Sequence, residues 1–166
     1  MQAQTITFGY SDSEDRLWIR LVLVDQSEAR FWLTRRLTEN LCQAMAGLIE
    51  QNTQAQHPSL STQEVNQYLR KEFFEVTHST WDPTPPPPQA TQNNTPTPTM
   101  QLCQTINIDL GLTWQLRFSG TRGPEYTLGI EPNQAPKFLL ALLKQSQIGH
   151  WQVTTDKIWL QNQKLS

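Results

Sequence analysis

Residues 17–24 read Leu-Trp-Ile-Arg-Leu-Val-Leu-Val, and their alternation sets the fold class. Leu17, Ile19, Leu21 and Leu23 fall on one face of an extended chain, Trp18, Arg20, Val22 and Val24 on the other. That period of two predicts a strand with one face turned to a core. Upstream, Thr5–Tyr10 alternates in the same way through Ile6, Phe8 and Tyr10. It runs into Ser11-Asp12-Ser13-Glu14-Asp15, a turn by composition. Downstream, Asp25–Glu28 turns the chain into a third strand, Arg30–Arg35. The period then changes to that of a helix. Leu41, Met45, Leu48 and Ile49 form one apolar stripe, with Thr38 as the expected N-cap.

A second helix begins at Leu60-Ser61-Thr62-Gln63-Glu64-Val65. Ser61 and Glu64 are spaced to cap each other's backbone amides, and Leu60 and Val65 to staple across the cap. Val65, Leu69, Phe73 and Val76 continue its apolar face. The stretch WDPTPPPPQATQNNTPTPT, residues 81–99, then holds seven of the eleven prolines. Proline fixes φ and removes a backbone donor, so an extended connector is expected over about 79–99.

After the connector the first pattern returns. Gln101–Asp109, Thr113–Ser119 and Glu125–Ile130 read as strands, with Gly120–Pro124 as a hairpin turn. A helix is expected from Asn133 to Ile148, with Pro136 in its first turn and Gly149 as its C′ residue. Trp151–Val153 and Ile158–Gln161 read as a closing hairpin. Aligned at an offset of 95, Ile19 meets Trp114, Leu21 meets Leu116, Leu33 meets Leu128 and Leu48 meets Leu143. The expected architecture is therefore α+β: two β-β-β-α units, either duplicated or alike in pattern, paired about a pseudo-twofold with helices on the inner faces of antiparallel sheets. The first unit and extra helix span 1–78 and the second unit and C-terminal hairpin 100–166, one compact domain overall. In element order this plan resembles that of the Whirly-type single-stranded DNA-binding proteins. The resemblance is architectural and carries none of a family's residue motifs.

Composition narrows the function. The chain has 166 residues and 19.1 kDa, 37% hydrophobic and 17% charged, with a net charge of −2 and a pI near 5.9. Such a balance argues against attachment to nucleic acid or anionic membrane by overall field. The start, MQAQTITFGY, has neither the basic nor the apolar region of a secretory signal. The longest apolar run, Phe138–Leu143, is six residues against the ~20 of a membrane span. A cytoplasmic protein without membrane attachment is expected.

The motifs of metal and nucleotide chemistry, HExxH, CxxC, GxSxG, GxxxxGK[ST] and GxGxxG, are absent. His57, His78 and His150 have no Cys, Asp or Glu at ligand spacing. Cys42 and Cys103 fall on core faces and read as small apolar residues. The cluster Asp12, Glu14, Asp15 has the groups for a hard cation, but a solvated turn needs the same ones. The PxxP runs at Pro83–Pro86 and Pro85–Pro88 lack a flanking cation and read as linker. No catalytic residue, metal site or cofactor is assigned.

One surface remains. With Leu17 to Leu23, Phe31 and Leu33 turned inward, Trp18, Arg20, Arg30, Trp32 and Thr34 point outward, followed by Arg35 and Arg36. Indoles and guanidiniums on neighbouring strands suit a protein hot spot or a second copy of the chain. They also suit stacking and phosphate binding on single-stranded nucleic acid, or cover by another part of the chain. The corresponding outward positions of the second unit, Gln115, Arg117, Glu125 and Thr127, are polar. The expectation is a non-enzymatic interaction or assembly module, with single-strand binding as the alternative.

Overall fold

A computed structural model of the protein describes residues 1–77, 98–153 and 156–161. Six strands make one closed barrel in chain order: β1 Gln2–Ser11, β2 Arg16–Leu23, β3 Glu28–Leu33, β4 Gln101–Asp109, β5 Trp114–Gly120 and β6 Tyr126–Ile130. Each half is an antiparallel meander. The halves are joined by two short parallel pairings, Phe31↔Gln101 between β3 and β4 and Ala3↔Leu128 between β1 and β6. Rather than two separate sheets facing each other, the units thus share one sheet that closes on itself and leaves no free edge.

The alternation at 17–24 is what fills the barrel. Leu17, Ile19, Leu21 and Leu23 are buried, as are Ala29, Phe31 and Leu33 opposite them and Trp114, Leu116, Phe118, Leu128 and Ile130 across the barrel. Phe31 meets Tyr126 edge-to-face at 5.6 Å between centroids, tying the two meanders through the interior. Three helices follow: α1 Arg35–Gln56, α2 Thr62–Thr77 and α3 Ala135–Ile148. α1 packs on β4 and α3 on β1, so each unit's helix lies on the first strand of the other unit. Among the described residues no helix is long and apolar enough to cross a membrane.

Several expectations are corrected by this architecture. β3 ends at Leu33, so Arg35 opens α1 instead of ending the strand, and Arg36 follows it in the helix. Thr34, in extended conformation, is the N-cap and its Oγ1 accepts the amide of Leu37 at 3.1 Å. Thr38 is fully buried one turn into the helix. At the second helix the reciprocal Ser61–Glu64 box is present in both directions, 2.7 and 3.3 Å. Gly149 ends α3 at φ −77°, and the left-handed residue is His150 at φ 54°. Glycine is needed at 149 for another reason: a Cβ there would lie 2.7 Å from Cζ of Tyr10.

The expected C-terminal hairpin does not form. Trp151–Val153 has no regular structure and Ile158–Leu160 is a 3-10 turn. The aromatic residues that gave the stretch its strand-like pattern each dock separately. Trp159 packs on Phe73 of α2 at 5.7 Å and donates to Glu50 of α1 at 3.2 Å. The connector expected at 79–99 lies almost wholly outside the described residues, as do His78 and both PxxP runs.

Strand register also revises the offset between the halves. Leu17 pairs with Leu33 and Trp114 with Ile130. Leu17 and Trp114, like Leu33 and Ile130, are 97 residues apart, not 95. At 97 the outward Arg20 and Glu28 correspond to Arg117 and Glu125. In the first strands the offset is 100, and each carries its irregularity at the matching place, Ala3/Thr5 and Cys103/Thr105.

Candidate functional site

β2 and β3 set Trp18 directly opposite Trp32, and Arg20 directly opposite Arg30, on the outer face of the barrel. Cross-strand neighbours of this kind lie about 5 Å apart at Cβ, so the two indoles and the two guanidiniums form adjacent pairs. Both tryptophans are half-buried. Trp18 owes this to Gly9, its partner on β1, over which the indole lies. A Cβ at Gly9 would fall 2.6 Å from the indole Nε1 and closer still to two ring carbons. The sheet has a slot for this ring.

Two like charges placed opposite each other repel, and Glu28 resolves the conflict. It lies on the same face as Arg30, two residues away along β3. Its carboxylate accepts from Arg20 Nη2, and from Arg30 Nη2 at 2.9 Å and Nε at 3.2 Å. Burial works to raise the Glu28 pKa. The two guanidiniums outweigh it and hold the carboxyl below its ordinary range. The side chains of Arg20, Arg30 and Glu28 are 36, 33 and 20% exposed, so this ion triad is partly screened by the protein itself. Nε of Arg20 is buried without an acceptor among the described residues.

Trp18, Arg20, Arg30 and Trp32 are therefore brought together as a patch. Arg35 is placed elsewhere: its guanidinium stands 5.5 Å from the ring centre of Trp151. Arg36 is exposed on the first turn of α1. Glu28 and Gly9 complete the patch, although neither stood out in the sequence. Glu28 is legible once β3 is started two residues earlier. Nothing local marks Gly9 as the floor under an indole nine residues further along the chain.

The second meander repeats the ion pairing and not the indoles. Arg117 pairs with Asp109 at 2.7 Å and with Glu125 at 3.5 Å. Gln115 and Gly129 stand opposite each other at the positions of Trp18 and Trp32. The aromatic platform belongs to one side of the barrel only.

The acidic turn after β1 does different work. Asp15, in the left-handed region at φ 47°, accepts from the hydroxyl of Tyr10 and from Trp151 Nε1 at 3.3 Å. Tyr10 and Trp151 also meet edge-to-face at 6.0 Å. The bond to Asp15, above all, pushes the Tyr10 phenol up to about 12. This cluster clasps the β1–β2 turn to the chain beyond α3. Among the described residues no group of three His, Cys, Asp or Glu side chains is placed to hold a metal ion. Burial pushes the thiols up, to about 12 at Cys42 and about 11 at Cys103, which disfavours thiolate formation at both.

No family model, curated protein or solved structure is significantly similar to the chain. The likeness in element order to Whirly-type proteins consequently carries no function across, and the site has to be read from its own chemistry.

Proposed function

We propose that the protein is a non-enzymatic, cytoplasmic interaction or assembly module whose contact surface is the outer face of β2 and β3, centred on Trp18 and Trp32. The observation that carries this reading is the placement of two half-buried indoles as a direct cross-strand pair, beside guanidiniums already engaged by Glu28. Tryptophan and arginine dominate the energetics of protein interfaces when they are preorganised and ringed by polar groups. Phosphate binding asks for uncompensated cations, and here one carboxylate serves both arginines. The matching Arg20/Glu28 and Arg117/Glu125 pairs support an origin by duplication, after which only the first copy kept or gained the indoles.

The test combines two titrations with one double variant, Trp18→Ala/Trp32→Ala. Light scattering over a wide concentration range is expected to show association that the variant loses, or, if the partner is another protein, a monomer whose two indoles stay open to an aqueous quencher. Labelled single-stranded oligonucleotide should not bind at low salt. Saturable oligonucleotide binding that weakens steeply with salt and drops in the variant would instead establish the single-strand alternative. A strict monomer with both indoles shielded from quencher would remove the surface altogether.

A further inference from the structure

The face around Trp18 and Trp32 is wider than the pair itself. On β4, Leu102 stands opposite Trp32, so Gly9, Trp18, Trp32 and Leu102 form one outward row across four strands. Trp18 lies over Gly9, toward β1, and makes no ring contact with Trp32 among the described residues. The two rings stand as separate apolar surfaces and do not close on each other. Neither indole N–H has an acceptor among the described residues, and neither is shut off from solvent. Beside them Arg20 and Arg30 share the one carboxylate of Glu28, which leaves the triad a single positive charge.

Such a face suits a ligand that brings apolar rings to the indoles, acceptors to the free N–H groups, few donors, and little charge beyond one carboxylate. A proline-rich segment meets each requirement. In the polyproline II conformation its carbonyls have no internal partner and its prolines have no N–H. Its shape is set before binding, so little ordering is left to oppose the contact. Aromatic grooves recognise such segments on this basis. The chain carries one. Residues 82–88, Asp-Pro-Thr-Pro-Pro-Pro-Pro, hold five prolines with Asp82 as their one charge, and no residue from Pro83 to Thr99 is charged. The PxxP runs within it have no flanking cation, and here the cations stand on the receiving face.

We infer that the Trp18/Trp32 face binds residues 82–88 of a second copy of this chain. The inference rests on the reading of that face as a contact surface and names its occupant. The direction of the chain favours a second copy over the same one. β3 and β4 are parallel where they pair, so the residues leading into Gln101 come from the Glu28 end of β3 and not across the indoles. Proline at 96 and 98 works against a reversal there, because each restrains itself and the residue before it to extended backbone. Each copy has one face and one segment, so two copies can exchange segments. The second contact then forms at the effective concentration of a linked site.

The experiment uses the full chain and a capped peptide of residues 82–91, DPTPPPPQAT, which has no tryptophan of its own. Light scattering on dilution should show association of the wild type, and the peptide should disperse it. The variant Pro85→Ala/Pro86→Ala/Pro87→Ala/Pro88→Ala should stay monomeric, with its receiving face free. In that variant the peptide should shift the indole N–H resonances of Trp18 and Trp32 saturably, and a peptide with alanine at every proline should bind at least about tenfold weaker. Adding Trp32→Ala, which leaves Trp18 and its slot in place, should weaken the peptide by about tenfold. The inference is overturned if the peptide moves neither indole, if the alanine peptide binds as well, if the wild type is monomeric, or if association survives the proline substitutions. Should it survive them and still be lost in Trp18→Ala/Trp32→Ala, the contact surface stands and only this occupant falls. A monomer whose indoles open to quencher only after the prolines are replaced would assign the segment to its own copy and overturn the exchange.

Discussion

Gly9→Ala tests the slot beneath Trp18 with a single carbon. The new Cβ would lie 2.6 Å from the indole Nε1, whereas non-bonded heavy atoms rest about 3.5–4.0 Å apart. Two ring carbons lie closer still, so the ring must retreat by more than about 1 Å or swing off the sheet. Retreat is overpacking and costs about 1–3 kcal/mol. Swinging out exposes about 100 Å² of a half-buried indole, about 2.5 kcal/mol at 25 cal/mol/Å². Alanine returns about 0.5–1 kcal/mol over glycine in a strand. The net expectation is a loss of about 1–2 kcal/mol, read as a lower denaturant midpoint with an unchanged slope. The decisive comparison is the same substitution in a Trp18→Ala background. There the clash is gone, and Gly9→Ala should be neutral or stabilising, giving a coupling of about 2 kcal/mol between the positions. Equal destabilisation in both backgrounds would refute the reasoning, because Gly9 would then be required by the strand and not by the indole. Gly9→Ala should also weaken whatever association the wild type shows, since it displaces one of the two rings of the proposed contact face.

Three further perturbations address the electrostatics and the helix starts. Glu28→Gln leaves Arg20 facing Arg30 and should lower stability by about 1 kcal/mol at low salt, with the loss shrinking as salt rises. Because the Glu28 carboxyl is held below its ordinary range, its contribution is fully present above the unfolded carboxylate range and is lost as pH falls through the lowered folded value. Acid unfolding of Glu28→Gln should lack that component. Tyr10, raised to about 12 by its bond to Asp15, stabilises the fold below about pH 10 and loses that contribution between 10 and 12. Ultraviolet titration should find one tyrosine of the three ionising late; Asp15→Asn or Tyr10→Phe should abolish it. Thr34→Ala and Ser61→Ala should each cost about 0.5–2 kcal/mol as lost caps. Thr38→Val, which removes a buried hydroxyl without a partner among the described residues, should be neutral or stabilising by thermal melts. The opposite order at 34 and 38 would return the cap to Thr38.

What could be read from sequence follows the range of the forces involved. The six strands, the three helices and the Ser61–Glu64 box are set by neighbours a few residues apart, and each is visible in its own segment. The two parallel junctions are not: Phe31 meets Gln101 across seventy residues, with no local signal on either strand. The C-terminal hairpin failed for a related reason. Trp151 and Trp159 produced an alternating apolar pattern, yet Asp15, Glu50 and Phe73 each take hold of one indole from elsewhere in the chain. The alternation there records individual docking and no strand pairing. A third strand running to Arg35 leaves Thr38 as the expected cap. Ending it at Leu33 supplies the earlier cap, and starting it at Glu28 supplies the position of that carboxylate.

The outward placement of Trp18 and Trp32 did not depend on aligning the halves correctly. An offset of 95 was displaced by two residues from the 97 set by strand register, and a shift of two returns every side chain to its own face. A shift of one would have exchanged core and surface. Parity is therefore the robust content of a strand pattern, and correspondence between particular residues the fragile content. It is correspondence, however, that separates the two faces. Only at 97 does Arg20 match Arg117 and Glu28 match Glu125, which identifies the ion pair as common to both faces. The indoles are then what distinguishes the first face. By the same register Phe8 and Phe138 are set against Ile108 and Leu41, an aromatic pair against an aliphatic one. Subtracting one half of the barrel from the other leaves two differences, a tryptophan pair on the outside and an aromatic pair exchanged for an aliphatic one where helix meets strand.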